Sequence, residues 1–259
     1  MANTPPPGSI DLSIDDGIAV VTINRPEVRN SIDLATAKRL TEVVAEIEET
    51  ASVRVGILTG AGGVAFSAGA DLRARSRGEA RANFPPHGFA GFVRRPRNKP
   101  FIAAVNGYAV GGGLEMAMAC ELVVASPNAT FSLPEPLRGV IAGGDCLPMA
   151  LSRLPLSVAW DVALTGRRLN AEEALRYGMV NAVSEDVQLA ARKLAVQIIA
   201  GAPMAISATI QLMRHLLPKA GQSYDELAES TQKRLFQTND AREGSTSFLE
   251  KRDAVWTNT

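Results

Sequence analysis

Aromatic residues make up only 5% of the 259 positions, so the interior has to be closed largely by aliphatic and small side chains. Cysteine is nearly absent. Cys120 and Cys146 form no CxxC pairing, which argues against a disulfide scaffold or a cysteine-rich zinc site and leads to the expectation of a reducing, cytoplasmic setting. There is no excess of either charge, since Lys plus Arg equals Asp plus Glu at 27 each; no global field recruits nucleic acid or an anionic membrane. Long apolar runs are missing too. The most membrane-like stretch, Phe101 to Ala119, is interrupted by Asn106, three successive glycines and Glu115, short of the roughly 20 apolar residues a span requires. The start of the chain has three consecutive prolines and no apolar core, so 1–10 is expected to be a flexible lead-in and not an export signal.

What is present is a globular composition, 46% hydrophobic and 21% charged, with enough length for an α/β domain and an appendage. Ile18 to Ile23 reads as a buried strand stopped at Asn24-Arg25-Pro26, and Leu34 to Glu49 as an amphipathic helix carrying Leu34, Ala37, Leu40, Val44 and Ile47 on one face. Val55 to Thr59, Phe101 to Val105, Leu122 to Ala125, Thr130 to Leu133 and Met179 to Val183 are further strands. Asn170 followed by Glu173 predicts a capping box opening a helix that Gly178 closes. After about position 200 only helical patterns follow, over Pro203 to Leu217, Tyr224 to Gln237 and Asp240 to Lys251. The chain therefore divides into an α/β core over 1–200 and a helical subdomain over 201–259. Within the core, 73–99 has eight basic residues against one acid, Glu79, together with Pro85, Pro86, Gly88 and Gly91. It reads as an irregular, lid-like insertion with mostly solvated arginines.

Two strand-loop-helix junctions share one design: Phe66 to Asp71 (FSAGAD) and Asn106 to Glu115 (NGYAVGGGLE). Glycines let a ligand approach the backbone closely, and a helix start leaves amide N–H groups unpaired. Two such starts facing each other would bind one oxygen carrying negative charge. For either loop alone, tight strand-helix packing is the better account of the glycines. Neither spells GxGxxG, neither carries a P-loop Lys-Ser/Thr, and Ser67 lacks the first glycine of GxSxG. Of the two histidines, His215 falls in an apolar helical pattern and His87 in the basic insertion; neither has a partner that marks it as a base.

Glu115 and Glu135 are more informative, because Glu115 opens an apolar helix and Glu135 follows Phe131-Ser132-Leu133-Pro134. Carboxylates are rarely buried without a partner or a function. A helix cap or an arginine partner would also account for Glu115, and an ordinary loop acid for Glu135.

At these residues the chain resembles the enoyl-CoA hydratase/isomerase (crotonase) superfamily, nearly end to end. The likeness rests on FSAGAD, NGYAVGGGLE, FSLPE (Phe131 to Glu135), Thr165 to Arg168, AEEALRYGMV (Ala171 to Val180) and FLEKR (Phe248 to Arg252). Within the family, Gly166 to Val180 and the ending Glu250 to Trp256 look most like carnitinyl-CoA dehydratase-type bacterial hydratases. The resemblance implies a core of ββα units wound in a spiral, with C-terminal helices used for oligomer contacts in a homotrimer or a dimer of trimers. It implies an oxyanion hole at the backbone N–H groups of Ala70 and Gly112, and catalytic roles for Glu115 and Glu135 in adding water to an acyl-CoA thioester. No metal or separate cofactor is implied, coenzyme A being part of the substrate. Substrate and CoA contacts would fall on Val28, Ala68, Asp71, Leu72, Arg73, Gly111, Gly113 and Pro134, with Phe248 and Lys251 from the C-terminal helices and Lys251 from a neighbouring subunit. Ile141 to Pro148 departs from the proline and Gly-Gly-Thr of well-known hydratases, placing Asp145 and Cys146 beside the expected acyl site. Two other readings remain at this stage: an isomerase shifting the double bond, which commonly needs one glutamate, and a non-catalytic acyl-CoA-binding or RNA-associated member, for which Arg94, Arg95 and Arg97 would be the basic patch.

Overall fold

The computed structural model describes residues 10–216 and 222–259. The lead-in expected over 1–10 lies, except for Ile10, outside the described residues, as does Leu217. The chain opens with a hairpin, β1 (Ile10–Asp15) and β2 (Ile18–Ile23), turning through Asp16 and Gly17, both at positive φ. Two-residue turns of that hand match the twist of paired strands. The first strand went unpredicted, although Ile10, Leu12 and Ile14 alternate with Asp11, Ser13 and Asp15, the period of a half-exposed strand.

Helix α1 (Leu34–Glu49) is capped by Asp33, whose carboxylate accepts from Thr36 N, and it buries Leu40, Val43, Val44 and Ile47. It returns the chain to β3 (Val55–Gly60), parallel to β2 and buried along its whole length. A strand covered on both faces needs a continuous apolar run. A unit of strand, strand and helix then recurs. Strand β3 leads to β4 (Ala65–Ser67) and α2 (Leu72–Ser76). After a small antiparallel hairpin, β5 (Asn83–Phe84) and β6 (Gly88–Phe89), β7 (Phe101–Val105) leads to β8 (Tyr108–Val110) and α3 (Gly112–Met118). Next come β9 (Leu122–Ala125) and β10 (Thr130–Ser132), followed by a 3-10 turn at Glu135–Arg138, α4 (Cys146–Arg153) and α5 (Leu156–Thr165).

The first strand of each unit joins one sheet and the second joins another, and β11 (Leu169–Asn170), α6 (Ala171–Arg176) and β12 (Ala182–Val183) complete both. The larger sheet runs β1-β2-β3-β7-β9-β12 and the smaller β11-β10-β8-β4. Asn170 and Glu173 form the expected capping box at the start of α6. The last predicted strand proves shorter than Met179 to Val183. Helix α7 (Val187–Ile199) packs Val187, Ala191 and Ala195 on Ile18, Val55, Ile57, Ile102 and Val124 of the large sheet. Helices α8 (Pro203–Leu216), α9 (Gln222–Leu235) and α10 (Asn239–Glu250) follow. Among the described residues no single helix is long and apolar enough to cross a membrane, and the apolar pair α7 and α8 is bent by 107°.

The segment 73–99 differs from the open insertion expected of its glycines and prolines. Ala90 and Phe92 are fully buried, and Arg97 is 2% exposed. The Arg97 guanidinium lies 4.1 Å from the Phe92 ring and 5.2 Å from that of Phe101, donating to the carbonyls of Phe92 at 2.8 Å and Ala119 at 2.6 Å. Arg95 donates to Thr41 O at 3.1 Å. The patch expected at Arg94, Arg95 and Arg97 is thus not a free cationic surface: those charges face inward or are bound to carboxylates and carbonyls supplied by distant parts of the chain.

Candidate active site

Three strands of the smaller sheet are parallel neighbours in close register, with Val110 opposite Ser132 and Ala109 opposite Ser67. Parallel partners end at the same level, so the loops that follow Ser67, Val110 and Ser132 collect at one edge, where open α/β sheets commonly bind ligands. This register erases the twenty positions that separate Glu115 from Glu135. A bond from Gly111 N to Ser132 O, 3.0 Å, locks the two loops together.

Glu115 sits in the first turn of α3 and is 3% exposed. Its Oε1 accepts the backbone N–H of Asp145 at 2.7 Å. Burial is the main cause that pushes its carboxyl up to about 8; the Asp145 amide pulls the other way, and the charges of Asp145 and Glu135 add to the rise. Glu135 follows Pro134 into the 3-10 turn, and burial pushes it up to about 7. Its Oε2 is buried without a hydrogen-bond partner. Among the described residues neither glutamate has a cationic ion-pair partner, so the arginine-paired and ordinary-loop alternatives for these acids lose ground. Cys146 is buried beside both, its thiol 3.9 Å from Gly111 O and hydrogen-bonded to Glu115. Burial, then the two carboxylates, pushes that thiol well above its ordinary range.

The two glycine junctions also meet. Gly69, at φ +77°, packs so closely that a Cβ there would lie 2.7 Å from Val110 O and 2.8 Å from Gly112 N. In the bridge between Ile32 and Ala70, Ile32 N–H donates to Gly69 O at 2.8 Å and Asp71 N–H to Ile32 O at 3.0 Å. Since those bonds leave from positions 69 and 71, the N–H of Ala70 points the opposite way. Gly112 is the first residue of α3, where an N–H has no partner within the helix. Ala70 is exposed and Gly112 half-exposed, so both remain accessible. Gly113 is buried against the Ser67 backbone.

The remaining expected contact residues divide into two sets. Val28, in a 3-10 turn, and Ala68, whose N–H donates to Arg29 O at 3.0 Å, are half-buried near the first junction, while Leu72 and Arg73 are exposed on α2. The Asp71 carboxylate is already engaged, capping α2 through Arg73 N and Ala74 N at 3.0 Å each and pairing with Arg25 at 3.2 Å. Burial opposes its ionisation, yet the Ala74 amide and Arg25 hold it below the usual carboxylate range. Phe248 and Lys251 lie at the exposed end of α10, the Phe248 ring 4.1 Å from the Arg138 guanidinium. Helix α10 lies backbone to backbone on the turn that bears Glu135, because a side chain at Gly139 or Gly244 would collide with the opposing backbone.

The residues that sequence reasoning missed are those that hold the loops. Gly144, at φ +60°, lies directly against Glu115 Oε1, and the Phe89 ring covers Gly112 at a distance that would put an added Cβ 2.5 Å from Cε1. The paired glycines before Asp145 were the only local signal.

The model of the enoyl-CoA hydratase/isomerase family matches residues 13–259. The chain belongs to that family. It is 40% identical over 257 residues to carnitinyl-CoA dehydratase of Escherichia coli O157:H7, spanning 96% of this chain and 98% of the relative. Among solved structures, a carnitinyl-CoA hydratase from Mycobacterium avium superposes with a TM-score of 0.91 at 37% identity, covering 97% of this chain and 99% of that one. An enoyl-CoA hydratase/isomerase from Pseudoalteromonas atlantica T6c gives 0.86 at 27% identity, covering 96% and 100%. The alternation of strands between two sheets is thus the ββα spiral of this enoyl-CoA hydratase/isomerase member, and the mixed α/β class expected from the sequence holds.

Proposed function

We propose that the protein is a hydratase-type lyase that reversibly adds water to the α,β double bond of an acyl-CoA thioester. The observation that carries this reading is the pair of buried carboxyls, pushed up to about 8 and about 7, on loops that leave the same edge of the smaller sheet as the two glycine junctions.

When water adds at the β-carbon, charge develops on the thioester oxygen, and the N–H groups of Ala70 and Gly112 are the donors assigned to it. One such donor is worth about 3 to 4 kcal/mol of barrier. Hydration also requires a proton taken from water and one delivered to the α-carbon. Carboxyls raised toward neutral pH can both hold and release a proton there, so Glu115 and Glu135 can serve as acid and base. An isomerase could use the same amides but has less need of a second raised carboxyl. Nothing in this chemistry calls for a cofactor beyond the CoA of the substrate. Val28, Ala68, Leu72 and Arg73 would border the CoA side, with Gly111, Gly113 and Pro134 shaping the loops and Asp71 holding its loop through Arg25.

A homotrimer, or a dimer of trimers, accords with the apolar side chains that α5 and α8 expose, including Leu156, Trp160, Leu164, Met204 and Met213. In that assembly the C-terminal helices over 201–259 would supply oligomer contacts, Phe248 and Lys251 among them. The two free, buried cysteines accord with a cytoplasmic setting.

The test is incubation of the purified protein with short, medium and branched enoyl-CoAs and a carnitine-type thioester, with products identified by mass. Gain of one water is the expected result. An unchanged mass with a moved double bond would make the protein an isomerase, and binding without turnover would make it a binding module. Light scattering of the purified chain tests the trimer.

A further inference from the structure

We propose that Arg94 is a positioning residue, which holds Asp145 so that its amide stays on Glu115 and ties the same loop to helix α9 through Asp225. This rests on the hydratase reading for its kinetic part and on geometry alone for its structural part.

The Arg94 guanidinium makes a two-point grip on each of two carboxylates. It donates to Asp145 through Nε and through Nη2, the latter at 2.8 Å, and to Asp225 through Nη1 at 2.9 Å and Nη2 at 2.6 Å. A planar fork can hold two carboxylates in this way, and a lysine ammonium cannot. Asp145 has two jobs in consequence. Its side chain is gripped by Arg94, and its main-chain N–H is the donor to Glu115 Oε1. The start of α4 holds Asp145 from one side, through Met149 N to Asp145 O at 2.9 Å and Cys146 N to Gly143 O at 3.3 Å, while the glycines at 143 and 144 leave the chain before it free to turn. The grip on the Asp145 side chain supplies a second constraint.

Arg94 is itself anchored. Its N–H donates to His87 O at 2.9 Å, tying it to the turn of the β5–β6 hairpin, from which Phe89 reaches over to cover Gly112. The segment expected to be a solvated lid therefore braces both halves of the site, Phe89 packed against the Cα of Gly112 and Arg94 reaching Glu115 through Asp145. The charged or titratable groups that bear on Glu115 come from each packed element: Asp145 from the loop, Cys146 from α4, Glu135 from the 3-10 turn and Tyr224 from α9. Two of these contacts favour the ionised carboxyl, the Asp145 N–H and the Cys146 thiol, and the N–H belongs to the residue that Arg94 grips.

The experiment compares Arg94→Ala, Arg94→Lys and Asp225→Asn with wild type in the full chain, by amide hydrogen exchange and by the pH profile of hydration of the shortest enoyl-CoA that wild type accepts. Arg94→Ala is expected to speed exchange in peptides covering 141–150 and 222–235 at least tenfold. It is expected to lower kcat roughly tenfold or more with KM within about threefold, since loss of positioning acts mainly on the chemical step. The descending limb of the profile should move to higher pH by about half a unit or more, because a carboxylate that loses an N–H donor ionises less readily. Arg94→Lys should fall between, and serves where Arg94→Ala does not fold. Asp225→Asn should loosen 222–235 and leave 141–150 protected. Wild-type exchange over 141–150 in both Arg94 variants would overturn the proposal, as would an unchanged kcat and profile. If wild type hydrates no thioester, the hydratase reading falls, and the exchange result alone decides the brace.

Discussion

Gly111 passes beneath Glu135 so closely that a Cβ at that position would lie 2.7 Å from Oε1. Its backbone, at φ 56° and ψ −122°, occupies a region that L side chains rarely adopt. Both facts predict that Gly111→Ala displaces the carboxylate and strains the loop. Stability should fall by about 1 to 3 kcal/mol, measured by urea unfolding, while kcat falls much further than that loss alone would produce. A variant with wild-type kcat would show that Glu135 need not sit where it does.

Replacing either acid tests the paired mechanism directly. Glu135→Gln and Glu115→Gln should each lower kcat by about 10²- to 10⁴-fold, the usual contribution of a positioned acid or base, while CoA binding measured by calorimetry stays intact. The double variant should be little worse than the poorer single one, because the two groups act as a unit. Full activity in either single variant removes that residue from the chemistry.

The same carboxyls make stability depend on pH with a definite sign. Both are pushed from an ordinary 4.5 to about 8 and about 7 by burial. Between those limits the native state keeps protons that the unfolded chain has already lost, so these groups lower stability as pH rises from about 4.5 to 8. Glu115→Gln should flatten that decline in a series of denaturation curves and leave the protein more stable than wild type at pH 8. A steeper decline in the variant would contradict the burial of an uncompensated carboxyl.

Arg97 should act on stability and leave nucleic acid out of account. Its guanidinium is buried and serves two carbonyls, and burial, its largest perturbation, lowers its pKa. Arg97→Met fills similar space but leaves both acceptors unpaired, which should cost about 2 to 4 kcal/mol. Fluorescence anisotropy with a labelled RNA should show no salt-sensitive binding in wild type to be lost. Tight binding abolished by the variant would restore the RNA-associated reading.

Much of the scaffold was legible because it is local. The helix Leu34–Glu49, the strands Ile18–Ile23, Phe101–Val105 and Leu122–Ala125, and the capping box at Asn170 each arise from hydrogen bonds and apolar spacing within a few residues. Strand β1 obeyed the same period-two rule and was overlooked, whereas helices α4 and α5 lie in a stretch where glycines and prolines obscured the pattern. The insertion was misread for a different reason. Its composition counts charges but not their partners, and those partners, Asp145, Asp225, Thr41 and Ala119, come from four remote segments.

The sequence alone determined which residues have acidic groups, where glycines permit a backbone to bend, and which family pattern the chain follows. Only the tertiary structure decided that Val110 pairs with Ser132, and with that pairing that two acids twenty positions apart share one dry corner. Ionisation depends on distance and desolvation in space, and neither is set until the strands have chosen their register.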